Sequence, residues 1–479
     1  MREALKRLTG ESLVYGLGQV SGRAVQVLLV PVLTVALSPA VFAVADLVQA
    51  YSALMVFVLV LGMDGALVRF FYQEPDADAR RTMVSSSLVF RALSGTLAGG
   101  IAVLLASPIA AHLMGSSTYL KYVLVGAVTL PFTLLVLFAN DVLRVTFQPW
   151  KFIALNLIQT VVTAGLTLWW VIREGHGVIG VLYGKLAGDA VCALVGLVLM
   201  RRSLAPRVNL GVVRRMLAFG LPLLPAALAY GVVSAADRYF LQRSYGLDVV
   251  GVYAVAAKFF TVVMMGVSAF SLAFFPFAHA RAHSPDAPRL YARVLALYVA
   301  VASGFALAVS LFAPEILALL VQPAYRGAAG PVRLLTFAAV AYGAYYVACL
   351  GIQLALRTSL LGWTALGGAV SAVAANALLV APYGMMGAAA ATLIGNGMFA
   401  VITYSISQSV YPLPYRGRRL LALFGFAILL SEVGSRVAPS GPWGWGVKLA
   451  ALAVYALAAA GLEVWRERGS VTASARVGT

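Results

Sequence analysis

The sequence predicts an all-α polytopic membrane protein with about 14 transmembrane helices. Three observations carry that prediction. Hydrophobic residues make up 62% of the 479 positions and charged residues only 11%, more apolar surface than a soluble fold can hide. Apolar runs recur from end to end, with no polar stretch long enough for a soluble domain. The runs are continuous rather than alternating, so they read as helices and not as barrel strands.

Taken in order, the spans fall near residues 12–37, 41–64, 84–106, 120–143, 152–172, 178–200, 216–236, 249–277, 292–313, 331–355, 360–380, 386–408, 418–434 and 443–463. The first follows a short basic amphipathic segment, MREALKRLTGES, read as retained because it lacks a small-residue cleavage site. Ser38-Pro39 turns the chain into the second span. Trp150, Trp443 and Trp445 stand near span ends, where amphipathic rings anchor at the membrane interface. With the N-terminus inside, 23 of the 35 Lys and Arg residues fall on cytoplasmic segments, 8 on outer ones and 4 within spans. By the positive-inside rule both termini are then cytoplasmic.

The spans group as six, six and two. Residues 1–200 form an N-terminal half, 201–215 a basic cytoplasmic linker, 216–408 a C-terminal half, and 409–479 two further helices and a tail. A faint repeat supports the split: Tyr15-Gly16-Leu17-Gly18 opens the first span and Phe219-Gly220-Leu221-Pro222 the seventh. An even number of spans per half keeps both halves in one orientation, implying two lobes about an axis along the membrane normal with a cleft between them.

Charges inside spans are the candidates for function, because a cation at mid-depth costs about 2.5–3.5 kcal/mol on insertion scales. Arg23 sits mid-span with no acid within one turn. Gln19 and Gln26, four before and three after, share its helix face and make a polar stripe. Lys258 lies nine residues into the eighth span, again without a local acid. Arg91, two turns into the third span, is a further candidate, although it is close enough to the interface to snorkel. These cations predict an anionic substrate. Asp46 is a candidate coupling carboxylate or a partner of Arg23. Asp64 and Arg69 are expected to form a local ion pair beside Gly65. Asp237 and Arg238 are expected to begin the seventh loop and to act in gating or loop structure. Lys185 with Asp189, and Asp141 with Arg144, have the spacing of mutually neutralising helical pairs.

Other function classes find little here. The net charge of +18 is spread over the segments between spans, so nucleic acid is not an expected partner. Cys192 and Cys349 lie in apolar spans and read as packing residues. His279 and His283 are spaced i,i+4 without a nearby third ligand, so neither a metal nor a cofactor is expected. No nucleophile motif or nucleotide-binding loop appears, and the chain reads as a non-enzyme.

The stretch RMLAFGLPLLPAALAYGVVSAADRYFLQRSYGLDVVGVYAVAAKFF, residues 215–260, resembles the seventh and eighth spans of polysaccharide flippases. A basic residue precedes Phe-Gly-Leu-Pro, then come Asp237-Arg238-Tyr239-Phe240 and Val250-Gly251-Val252-Tyr253. Tyr15-Gly-Leu-Gly, the Ser38-Pro39 turn and the segment from Gly62 to Tyr72 resemble that family's first two spans. The family comprises the O-antigen and lipid-linked oligosaccharide flippases of the multidrug/oligosaccharidyl-lipid/polysaccharide exporter superfamily. The resemblance implies two six-helix lobes in a V-shaped, MATE-like arrangement, plus two C-terminal helices. It implies alternating access in a bacterial cytoplasmic (inner) membrane, with a polyprenyl phosphate- or pyrophosphate-linked oligosaccharide as substrate. It also implies membrane lipids and polysaccharide assembly machinery as partners, and a monomer. By role, Arg23 and Lys258 fall on spans that line the cavity in this superfamily. A multidrug antiporter of the same superfamily is the main rival reading; a lipid II flippase or a membrane polysaccharide polymerase ranks below it.

Overall fold

The computed structural model describes residues 24–25, 27–282, 284–355, 357, 359–438 and 442–474. The described chain is helical almost throughout. In order the helices are α1 (Val27–Ala36), α2 (Pro39–Val60), α3 (Met63–Gln73), α4 (Ala77–Leu104), α5 (Ala106–Met114), α6 (Leu120–Val145), α7 (Pro149–Leu168) and α8 (Val178–Met200). They continue as α9 (Leu210–Gly220), α10 (Leu224–Tyr245), α11 (Leu247–Ala280), α12 (Ala287–Leu320), α13 (Ala329–Ala348), α14 (Leu350–Leu354), α15 (Leu360–Val410), α16 (Gly417–Val437) and α17 (Pro442–Ser474). Twelve segments among the described residues are long and apolar enough to cross a membrane.

Local chemistry sets the breaks. Pro39 opens α2 at the first helical turn, where a missing N–H costs nothing. Leu61 and Gly62 both adopt left-handed φ, which ends α2 and redirects the chain into α3. The Asp76 side chain caps α4 through the backbone N–H groups of Asp78 and Ala79. The longest element, α15, runs 51 residues but turns at Gly384, where φ is +54°. Its two arms fold back on each other: a Cβ on Gly368 would touch Phe399, and one on Gly395 would touch Ala372. This one element therefore accounts for the two spans expected at 360–380 and 386–408.

Several elements outrun the expected spans because helix and membrane depth are different things. Expected to start at 84, α4 starts at Ala77, carrying Arg80 and Arg81 in its first turns. The last six residues of the expected linker at 201–215 are in helix from Leu210, capped by the Asn209 side chain. That amphipathic helix runs on through a short tight turn into α10.

Three apolar clusters organise the interior. One joins α3, α4, α6, α7, α8 and α9 around Phe138, Leu143 and Phe152. A second joins α11, α12, α13, α16 and α17 around Tyr291, Phe337 and Leu307. The third is built from α1, α2, α10, α11, α13 and neighbours, around Phe42, Tyr253 and Tyr325. It brings the first and second halves of the sequence into contact, at the end of the bundle that carries Ser38.

Candidate functional site

The seam between α2 and the pair α10–α11 runs the length of α2. At the Ser38 end the approach is backbone to backbone: a Cβ on Gly251 would lie 1.9 Å from the Pro39 carbonyl oxygen, so only glycine fits. Tyr325 donates its hydroxyl to the Leu37 carbonyl at 2.8 Å, and Gln322 Nε2 donates to the Val35 carbonyl at 3.2 Å. Further along, Leu54 and Phe57 pack on Gly231. At the opposite end Gly62 meets Gly220 through backbone atoms, and Phe70 packs edge-on against Phe219, ring centroids 5.9 Å apart.

A charge cluster lies on this seam. Asp46 of α2 accepts from Arg238 Nε of α10 at 2.7 Å. Its other oxygen lies 3.7 Å from Lys258 Nζ of α11, beyond hydrogen-bond reach. Asp237 is saturated locally: it accepts from the Arg238 backbone and guanidinium, and from the Tyr253 hydroxyl at 2.8 Å. Thr392 of α15 stands 3.5 Å from the same carboxylate. Arg238 thus bridges two acids, while Lys258, whose side chain is 28% exposed, is the least satisfied member. Arg238 also lines a cavity of about 250 Å³ with Leu47, Tyr51, Leu54 and Val232.

Farther along the seam, about two to three helical turns from the cluster, stands an aromatic wall. Phe57 of α2 meets Tyr230 of α10 edge-on, with centroids 5.3 Å apart. Tyr230 continues to Tyr342 of α13 at 5.7 Å, and Tyr345 stacks on Phe399 of α15 at 4.1 Å. None of these tyrosines is among the candidate residues read from the sequence. The missed signal is Tyr342-x-x-Tyr345-Tyr346, an i, i+3, i+4 face in the middle of a span.

The expected site residues are placed as follows. Gln19, Arg23 and Gln26 lie outside the described residues. Lys258, Asp46, Asp237 and Arg238 come together across the seam. Asp237 and Arg238 do not begin a loop: α10 continues to Tyr245, and both are drawn into the helix by their mutual contacts. Asp64 and Arg69 do not pair. Five helical residues apart, they point about 140° away from each other, and the Arg69 guanidinium lies 4.8 Å from the centroid of the Phe219 ring. Arg91 is 1% exposed, 3.3 Å from Asp141, with its guanidinium 5.4 Å from the Phe138 centroid. Asp141 also pairs with Arg144, and Lys185 reaches Asp189 at 2.6 Å. Cys192 and Cys349 are buried and free.

The Arg91 geometry has a measurable consequence. Removing one partner of a buried pair strands the other charge at a cost of about 3–5 kcal/mol. Asp141→Ala should therefore lower the Tm of the detergent-purified protein strongly, and adding Arg91→Leu should recover most of the loss. A single variant as stable as the wild type would contradict that coupling.

Residues 32–330 match the protein family described as polysaccharide biosynthesis protein. No curated protein sequence matches the chain. Among solved structures, it is similar to the lipid II flippase MurJ in an inward closed conformation, with TM-score 0.73 and 12% identity over 95% of this chain and 99% of that one. A multidrug resistance MATE family transporter of the MOP superfamily, inward-facing, gives TM-score 0.62 and 16% identity over 85% and 93% of the two chains. A MOP superfamily transporter from Pyrococcus furiosus gives 0.60 and 14% over 85% and 95%. At such identities the likeness establishes the fold: a multi-pass helical bundle of the MurJ and MATE type.

Proposed function

We propose that the chain, which belongs to the polysaccharide biosynthesis protein family, is a flippase that carries a polyprenyl-phosphate-linked oligosaccharide from the cytoplasmic to the outer leaflet by alternating access. The observation that carries this reading is Lys258, held across the seam by Asp46 at 3.7 Å without a hydrogen bond. A phosphate can displace that weak contact at little cost, because two charged oxygens replace one distant one. Arg23, from the sequence, supplies a second cation on the first span. The polyprenyl tail stays in lipid; the phosphate and sugars need polar partners, since desolvating them in hydrocarbon is prohibitive.

Tyr230, 37% exposed at the edge of the aromatic wall, supports a sugar-bearing head group. Sugar C–H faces stack on aromatic rings, and tyrosine adds a hydroxyl to the same surface. We assign Asp46, Asp237 and Arg238 to gating, since Asp46 and Arg238 meet across the seam and Asp237 holds Arg238 in place, and Asp64 to the turn at Gly62. Arg91 we assign to packing of the first half. The cation distribution supports both termini in the cytoplasm, with the Ser38 end facing outward.

Native mass spectrometry of the purified protein tests the reading. The expected result is a co-purifying polyprenyl phosphate or pyrophosphate lipid bearing sugars. Retention of small cationic drugs in its place would overturn it and favour the antiporter, which would use Asp46 and Asp237 as its cation-binding acids.

A further inference from the structure

A cavity of about 800 Å³ opens between α12, α13, the second arm of α15 and α16. That volume is within the range of about 300–1,000 Å³ typical of ligand pockets. Its walls are apolar and small-sided, with Ala341, Ala344 and Ala348 on one helix face and Gly397 and Ala400 on another. Such faces usually let helices close on each other; here they leave a slot. Val401 and Leu421 line it and are exposed, so the slot opens sideways, toward the surroundings of the bundle.

One end of the slot is cationic. Arg416, Arg418 and Arg419 line it, and none makes an ion pair among the described residues. They flank the first residue of α16, a 21-residue helix with no acid in its first turn and no side-chain cap. Cations there are placed against the positive end of the helix dipole. The free N–H groups and the three guanidinium groups together form a site that an anion would stabilise.

We propose that this slot binds an anionic phospholipid of the membrane, its phosphate on Arg416, Arg418 and Arg419 and one acyl chain along the alanine-lined wall. Charge complementarity selects an anionic head group, and the depth of the apolar wall selects a chain-bearing amphiphile over a free anion. No residue of the slot belongs to the Asp46 cluster or to the aromatic wall, so the proposal stands apart from the transport reading.

The test is lipid titration of the full-length protein in detergent, followed by native mass spectrometry, with phosphatidylglycerol, phosphatidylcholine and polyprenyl phosphate as separate probes. Phosphatidylglycerol should bind at least tenfold more tightly than phosphatidylcholine. Replacing the three arginines together (Arg416→Gln, Arg418→Gln and Arg419→Gln) should abolish that preference. Ala344→Trp, which fills the slot and leaves every charge in place, should weaken phosphatidylglycerol at least tenfold. Unchanged binding by a folded Ala344→Trp protein would overturn the proposal, since surface charge alone would then hold the lipid. Because the arginine variant alters only exposed side chains, it tests the site even if Ala344→Trp fails to fold, and an unchanged preference there overturns the proposal too. Stronger binding of polyprenyl phosphate than of phosphatidylglycerol would also overturn it, assigning the slot to the transported lipid.

Discussion

Arg23→Ala is expected to abolish polysaccharide export while membrane abundance stays at the wild-type level. Lys258→Ala should do the same, and Arg23→Lys and Lys258→Arg should each retain part of the activity. What keeps such cations in place decides the outcome. At mid-depth each costs about 2.5–3.5 kcal/mol on insertion scales, so deleting one should not impair insertion. A structural cation would instead leave a stranded partner and lower stability. Lys258 is informative here because its partner Asp46 keeps a 2.7 Å bond to Arg238 when the lysine is gone. Loss of export with unchanged abundance and Tm is therefore the signature of substrate contact. The measurement is surface polysaccharide in cells that depend on the variant, against immunoblotted membrane protein. Full export by Arg23→Ala together with full export by Lys258→Ala would remove the cationic-cavity idea.

The sequence located the spans well because bilayer depth writes itself as apolar length. The Ser38-Pro39 turn, the break between 380 and 386, and the i,i+4 pair of Lys185 and Asp189 all rest on local chemistry, and the structure carries each of them. Where helices leave the membrane, apolar length says nothing. The first turns of α4 and most of α9 are charged and amphipathic, and capping by Asp76 and Asn209 was the available signal. The site was half legible. A cation without a local acid can be seen in one segment, which is why Lys258 stood out. Its partner Asp46 lies more than two hundred residues away, and only the fold brings them within 3.7 Å. Asp237 and Arg238 were read as a loop start because charges usually end spans. Here they satisfy each other and Asp46, which lets the helix carry them inward. The aromatic wall is missed in the sequence, since a tyrosine face looks alike whether it lines a seam or an interface.

Cross-linking the Ser38 end should stop transport completely and reversibly. Val35 and Gln322 are exposed and adjacent, joined by the Gln322 side chain to the Val35 carbonyl. Val35→Cys with Gln322→Cys therefore offers a pair that a short, reducible bis-thiol reagent can bridge. The native Cys192 and Cys349 are buried, so the introduced thiols are the accessible ones. Under the proposed alternating access this end must part: the Tyr325–Leu37 bond, the Gly251–Pro39 approach and the pairing of Asp46 with Arg238 and Lys258 all span it and must break together. The Tyr325–Leu37 hydrogen bond contributes only about 0.5–1.5 kcal/mol net, so the Asp46–Arg238 ion pair is the strongest of these links and the one the proposed opening must break. A covalent bridge removes the choice. A matching pair at the opposite end, Arg69→Cys with Phe219→Cys, should block as well, because a carrier must open to each side in turn. The readout is export before bridging, after bridging and after reduction. Full export by a protein fully bridged at the Ser38 end would rule out parting at this seam and move the path of the head group elsewhere in the bundle.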